Sequence, residues 1–200
     1  ITGLLPASSG SVRIDGEDCT NEPPRALLKK GFAHIPEDRH KMAVLKDMTV
    51  SENLMLLNYR DSDHSSHGIL RWKKIDRINE ELCRRYQIKT PDVHELLGNL
   101  SGGNQQKIIL ARECGLADPQ LVIASNPTRG LDVGATQYIQ KQILAARDEG
   151  TAVVLVSTEL EEILDLTDRI IVLYKGRIIG TVDTCDATAE QLGRWMAGVM

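Results

Sequence analysis

Two short apolar runs in the second half of the chain, Leu121-Val122-Ile123-Ala124 and Ala152 to Val156, restrict the fold more than any other feature. Neither alternates with polar residues, as a strand with one wet face does. Strands covered on both faces read this way, and such strands belong to parallel sheets. Between the two runs, the stretch from Gly134 carries Ile139, Ile143 and Ala146 on one helical face. Phe32-Ala33-His34-Ile35 is a third run of the same character. Strand, helix, strand, helix, strand requires right-handed crossovers, so the predicted class is α/β, a mostly parallel sheet flanked by helices. Ligands of such sheets gather at the carboxyl ends of the strands, here near Ile35, Ala124 and Val156. Each of these ends runs at once into polar residues: Pro36-Glu37, Ser125-Asn126 and Ser157-Thr158.

The rest of the chain supplies cover for that sheet. Gly10 to Gly16 alternates in the strand manner and closes on an Asp-Gly turn. Pro23-Pro24 opens a short helix over Arg25 to Lys30. Thr49-x-x-Glu52 matches a capping box, opening a helix with Leu54, Leu56 and Leu57. Asp61 to Gly68 is a polar loop, and His64 and His67 inside it read as solvated, with no third metal ligand nearby. Trp72, Ile75, Ile78, Leu82 and Tyr86 mark an amphipathic helix with a core-facing stripe. Thr158-x-x-Glu161 reads as a second capping box before Leu160, Ile163 and Leu164. A hairpin over Arg169–Tyr174 and Arg177–Val182, turning at Lys175-Gly176, precedes a last helix from Ala187 to Gly198 with Leu192, Trp195 and Met196.

One polar stretch does not serve the core. Leu100-Ser101-Gly102-Gly103-Asn104-Gln105-Gln106-Lys107 is a glycine-paired turn running into a helix whose apolar residues begin at Ile108, expected to reach about Ala117. Ser101 occupies the N-cap position, and the glycines let a ligand approach the backbone. A helix start offers unpaired N–H groups and a partial positive charge, which suit a phosphate. Composition bounds the partners. A net charge of −4 gives no basic footprint, so no nucleic acid is expected. Cys19, Cys83, Cys114 and Cys185 show no Cys-x-x-Cys spacing, hence neither a zinc site nor a disulfide frame. No apolar run approaches the ~18 residues that span a bilayer. The sequence opens at Ile1, inside the apolar phrase Ile1 to Pro6 that reads as a helix end, and is expected to be a piece of something longer.

Leu100 to Lys107 resembles the signature motif of ATP-binding cassette proteins, and the remaining motifs fall into register with that family across essentially the whole chain. Pro36-Glu37-Asp38-Arg39 resembles the Q-loop, with Glu37 where most cassettes have glutamine. Leu121 to Pro127 lies where the Walker B strand belongs, Arg129-Gly130-Leu131-Asp132 resembles the D-loop, and Thr158 stands at the switch-histidine position. Gly3 to Gly16 resembles the segment that follows the P-loop helix. The phrases Pro36 to Arg39, Gly102 to Lys107 and Pro127 to Ala135 are similar to the second cassette of importers with two fused cassettes, which take up simple sugars or nucleosides. The resemblance implies a P-loop NTPase-like sheet lacking the P-loop strand. It divides the chain into a core remnant with the Q-loop (1–48), an inserted helical subdomain (49–99), and the signature helix with the remaining α/β core (100–200).

The departures from the family are as informative. A working cassette ends its Walker B strand in Asp-Glu, one to order Mg²⁺ and one to polarise water; here stand Ser125 and Asn126. Asparagine orients water but takes no proton, and losing a general base costs about 10²–10⁴ in rate. Thr158 reads as a helix N-cap in place of a γ-phosphate sensor. The Gly-x-x-x-x-Gly-Lys-Ser/Thr loop is absent from these residues, which the resemblance reads as truncation just after it.

Cassettes of this family face head to tail, each nucleotide lying between the P-loop of one and the signature of the other. The implied role is therefore donation of Ser101, Gly102, Gly103, Asn104 and Gln105 in trans, with Glu37 and Asp132 as Q-loop and D-loop residues. This chain's own site is degenerate and without metal ligands. ATP and Mg²⁺ belong to the full-length dimer, not to this piece alone. The implied partners are a second cassette, transmembrane permease subunits and, indirectly, an extracytoplasmic substrate-binding protein, at the cytoplasmic face of the membrane. Ala124-Ser125-Asn126 and His34 lean toward the nucleoside branch. Two other readings stand beside this one: a non-transport cassette protein acting as a regulatory or binding module, and a generic parallel α/β enzyme.

Overall fold

A computed structural model of the chain describes residues 1–115 and 119–199. It forms two compact units, Ile1–Val154 and Leu155–Met200, each considered by itself.

The first unit begins with a small hairpin, β1 (Arg13–Ile14) and β2 (Glu17–Asp18), joined through Asp15 and Gly16, both at positive φ as a tight Asp-Gly turn requires. Helix α1 (Pro24–Lys29) starts on proline, whose missing N–H costs nothing in a first turn. Strand β3 (Phe32–Ile35) follows, then the four-residue α2 (Arg39–Met42), whose first N–H groups are capped by Asp38. Thr49 and Glu52 form the expected reciprocal capping box at α3 (Val50–Met55). Its first turn also sends the Val50 and Ser51 N–H groups to the carbonyls of Glu95 (3.0 Å) and Val93 (2.8 Å), and the helix ends before Leu56 and Leu57. A minimal hairpin, β4 (Ser65–Ser66) and β5 (Ile69–Leu70), occupies the expected loop. Then come α4 (Trp72–Arg85), α5 (Gly102–Cys114), β6 (Leu121–Ser125), α6 (Val133–Asp148) and β7 (Ala152–Val156). Helix α5 stops at Cys114; the expected extension to Ala117 lies outside the described residues.

Strands β3 and β6 pair in parallel, Phe32 opposite Leu121 and Ile35 opposite Ala124. The sheet order is β3-β6-β7. Under β3 and β6 lies a cluster of Cys19, Leu27, Phe32 and Ile123, with Ile14 and Leu121 packed on it. Strand β7 corrects one expectation. It is not covered on both faces: Val154 is 40% and Val156 51% exposed, and exposure alternates along the strand, so one face lacks cover.

Helix α5 is buried almost all round. Ile108, Ile109, Leu110 and Ala111 are each 3% exposed or less, so four successive residues face protein. A helix covered on every side needs neighbours on every side, and α3, α4, α6 and β3 supply them. Next in line, Arg112 and Glu113 are both buried and form an ion pair at 3.1 Å. The guanidinium also donates to the Ala43 carbonyl (2.7 Å), and the carboxylate accepts from the His34 backbone N–H (3.2 Å). Burial pushes the Glu113 carboxyl up, while Arg112 and the His34 N–H oppose that shift.

Two side chains depart from their expected settings. Trp72, at the first turn of α4, is 44% exposed, while Ile75, Leu82 and Tyr86 hold the core face. His64 is not solvated: it is 3% exposed, and neither ring nitrogen has a partner among the described residues. Burial lowers its pKa, and Lys74 adds to that effect while Asp61 and Asp63 oppose it.

In the second unit, α7 (Leu160–Leu166), the hairpin β8 (Arg169–Tyr174) and β9 (Arg177–Asp183), and α8 (Ala189–Met196) enclose Ile170, Val172 and Leu192. Lys175 and Gly176 turn the hairpin with positive φ at both positions, as predicted from their order. Gly180 on β9 is covered by the Trp195 ring, which would lie 2.6 Å from any Cβ there. The second capping box is not formed: the cap position of α7 falls on Glu159, one residue after Thr158.

Removing one member of the buried pair leaves a charge without its counterion. Arg112→Met is expected to cost about 3–5 kcal/mol of stability, and Arg112→Met/Glu113→Leu less than the single change, measured by urea unfolding. His64→Phe removes unpaired buried nitrogens and is expected to gain about 1 kcal/mol at pH 7. Since burial lowers the folded pKa, the unfolded state binds the proton first as pH falls below about 6.5. Wild-type stability therefore declines from there toward the lowered folded value, and the variant's melting temperature should fall less over the same range. His34, also lowered by burial, keeps part of the slope in both proteins.

Candidate functional site

The turn before α5 is held from below. Leu97, 0% exposed, anchors a single 3₁₀ turn (Leu97–Asn99) that delivers Leu100 and Ser101 to the helix start. Ser101 is the N-cap in extended conformation and lies exposed. Its hydroxyl oxygen accepts from the Asn104 backbone N–H (3.4 Å) and from Asn104 Nδ2 (3.1 Å). Asn104 Oδ1 in turn accepts from the backbone N–H of Lys89 (2.9 Å). Gln105 points the other way: it is buried, and its amide nitrogen donates to the carbonyls of Leu100 (3.0 Å) and Leu97 (3.3 Å). It braces the turn from inside, while Ser101 and Asn104 form its outer side.

The two glycines are needed for different neighbours. A Cβ on Gly103 would stand 2.8 Å from the Ala135 Cβ on α6, so the helix start and α6 meet at backbone distance. A Cβ on Gly102 would stand 2.9 Å from the end of the Arg39 guanidinium. Arg39 also donates to the Arg129 carbonyl (3.2 Å), and the Arg129 guanidinium is ion-paired with Glu37. These two arginines join the Pro36–Arg39 turn, the start of α5 and the segment leading to Asp132. Asp132 uses Oδ1 to cap α6, accepting from the Ala135 N–H (2.9 Å).

Lys107, one turn into α5, donates to the Gln87 carbonyl (2.9 Å) and lies 4.2 Å above the Tyr138 ring. Burial lowers its pKa, and the nearby Lys89 adds to the shift. Ser125 ends β6 one residue past the Ile35–Ala124 pairing, so Pro36 and Ser125 leave the sheet side by side. Asn126 follows at φ 44°, a left-handed conformation that asparagine tolerates, and its carbonyl closes a turn on the Arg129 N–H (3.1 Å).

Glu37, Ser101 to Asn104, Ser125, Asn126 and Asp132 thus all belong to the first unit, with Arg39 and Arg129 tying three of their segments together. Thr158 belongs to the second unit. Arg39, Arg129, Lys89 and Lys107 were not singled out from sequence. The two arginines stand inside charged phrases that also hold Glu37 and Asp132, which is the one signal that marks them. Among the described residues no group of three or more His, Cys, Asp or Glu side chains is placed to hold a metal.

Parallel strands whose carboxyl ends carry polar turns, beside a capped, glycine-paired helix start, define an α/β cassette fold. Solved structures share the architecture. The ATP-binding cassette MJ1267 of an ABC transporter superposes with a TM-score of 0.75 at 22% identity, over 98% of this chain and 77% of that one. The dimeric cassette MJ0796 bound to ADP and Pi gives 0.70 at 21% identity, over 92% and 77%. The model of the ABC transporter family matches residues 1–129, and the chain belongs to that family. Among curated relatives, it is 42% identical to the guanosine import ATP-binding protein NupO of Bacillus subtilis (strain 168) and 43% identical to the nucleoside import ATP-binding protein NupA of Lactococcus lactis subsp. cremoris (strain MG1363). Each match covers 99% of this chain and 39% of the relative. It is 40% identical to the glucose import ATP-binding protein TsgD13 of Haloferax volcanii, over 99% of this chain and 36% of that protein. The chain therefore spans well under half the length of these relatives.

The two glycines should separate in mutagenesis. Gly103→Ala sets one backbone-attached carbon against another and is expected to cost about 1–3 kcal/mol in thermal unfolding. Gly102→Ala meets only the flexible end of Arg39 and should stay within about 1 kcal/mol of wild type.

Proposed function

We propose that this chain is the ATP-handling part of an importer for nucleosides or simple sugars, and that it presents its signature turn to a nucleotide held by a second cassette. The observation that carries the reading is Ser101. Its hydroxyl is exposed at a helix start, and its O–H has no acceptor among the described residues. A phosphate oxygen is the acceptor that fits such a group. In this reading Gly102 and Asn104 flank Ser101 on the outer side, Gly103 lets the helix start close on α6, and Gln105 supports the turn from within.

The chain's own hydrolytic positions support a donor role. Ser125 and Asn126 offer a hydroxyl and an amide where a general base and a metal ligand would serve, and neither takes a proton at neutral pH. Mg²⁺ bound with ATP would neutralise phosphate charge in the full-length dimer; Ser125 and Asn126 are not suited to hold it. Glu37, Arg39, Arg129 and Asp132 would then transmit position: the Q-loop turn cannot shift without moving the segment that ends at the D-loop aspartate. The helical segment 49–99 and the Glu37 turn would face permease subunits at the cytoplasmic side of the membrane, with substrate supplied by an extracytoplasmic binding protein. The import functions named for NupO, NupA and TsgD13 support transport over a purely regulatory role and favour nucleosides or sugars as cargo.

The test uses the full-length protein in cells lacking it. Ser101→Arg should abolish uptake of labelled guanosine or glucose, whichever the wild type restores. Asn126→Ala should leave uptake within about twofold of wild type, since an amide supplies no general base. Equal losses from both changes would overturn the reading.

A further inference from the structure

The hydrogen bonds around Ser101 have a direction, and the direction is set from outside the turn. A serine hydroxyl has one proton and two acceptor sites. Asn104 addresses the oxygen twice, through its backbone N–H and through Nδ2 (3.4 and 3.1 Å), so what remains is the proton. The asparagine amide is not symmetric in this role. With Nδ2 toward Ser101, its hydroxyl is left as a donor; with Oδ1 there instead, the O–H turns inward and its lone pairs face the ligand. A backbone N–H can only donate, so the Lys89 N–H at 2.9 Å requires Oδ1 on its side and Nδ2 on the side of Ser101.

Lys89 is itself held. It lies just past the end of α4, where Gln87 adopts φ 51° and the Ile88 N–H returns to the Cys83 carbonyl (2.9 Å). Lys107 donates from α5 to the Gln87 carbonyl (2.9 Å), and the Tyr138 ring lies under its ammonium group. The loop following α4 is therefore fastened to the signature helix at two points, and one of them controls the amide of Asn104.

The geometry assigns Asn104 as a positioning residue that polarises Ser101 toward an anionic ligand, its amide oriented by the backbone N–H of Lys89. With the loop in place, the relay runs from the Lys89 N–H to Oδ1, from Nδ2–H to the Ser101 oxygen, and from the Ser101 proton to a phosphate oxygen. The assignment rests on the reading that Ser101 meets a nucleotide phosphate.

The experiment is steady-state ATP hydrolysis by the full-length protein reconstituted with its permease, as kcat and apparent KM for MgATP, with melting temperatures recorded alongside. Asn104→Ala removes the second donor but leaves the hydroxyl free to face the ligand. It should raise KM about tenfold with kcat within about twofold, because the hydroxyl is no longer held in the orientation that meets the ligand. Asn104→Asp keeps an acceptor for Lys89 and places a second carboxylate oxygen on Ser101. That oxygen captures the O–H and adds negative charge, so KM should rise by about 100-fold or more. In a Ser101→Ala background, Asn104→Ala should cost less than about twofold further, because the hydroxyl it orients is gone. Equal effects of Asn104→Ala and Asn104→Asp, or full additivity with Ser101→Ala, would overturn the relay. A fall in melting temperature that tracks the kinetic loss in both Asn104 variants would overturn it too, as a purely structural effect. Unchanged kinetics in both Ser101→Ala and Ser101→Arg would instead refute the phosphate site itself, a separate outcome.

Discussion

The buried pair of Arg112 and Glu113 holds the architecture of the first unit together. Two charges removed from water must find partners in every direction, and these find them on separate elements: each other, the carbonyl of Ala43 beyond α2, and the backbone N–H of His34 in β3. Those partners come from different parts of the chain, so the pair links α5 to β3 and to the segment after α2. The pair thus sets the position of a helix whose other end carries the signature turn.

Position matters there because the turn works through short-range geometry. Gly103 meets α6 at a distance no side chain permits, and Gly102 lies against Arg39. Gln105 uses its amide to hold the two carbonyls before the turn. What is left facing outward is a hydroxyl proton, a helix start and backbone N–H groups, all favourable to an anion. The charged residues around the turn act mainly on one another. Glu37 is paired with Arg129, and Arg39 donates to the Arg129 carbonyl, so the Pro36–Arg39 turn and the segment leading to Asp132 are neighbours.

Much of this was legible beforehand, and the failures have specific causes. The capping box at Thr49, the unalternating runs of β3 and β6, and the Lys175-Gly176 turn depend on residues close in sequence, where local rules suffice. The second capping box failed although its pattern was the same, since helix α7 begins one residue later, after Glu159. Strand β7 has the composition of a covered strand but leaves Val154 and Val156 exposed, because cover over a strand's face comes from packing that composition does not encode. His64 was read as solvated from the polarity of its neighbours, yet the small hairpin after it folds the ring inward. Asn104 and Gln105 look alike in the motif; only their surroundings separate an outward amide from an inward one.

By itself the sequence determined the α/β class, the helix start at Ser101 and the turn at Lys175-Gly176. Each of these follows from residue type or from spacing within about one helical turn or one strand. Tertiary structure decided what the motifs touch: that Arg129 answers Glu37 across 92 residues, that Glu113 answers His34 across 79, and that Lys89 sets the amide of Asn104. Those contacts depend on how the helices pack against the sheet, and packing is a property of the whole chain that no local pattern carries.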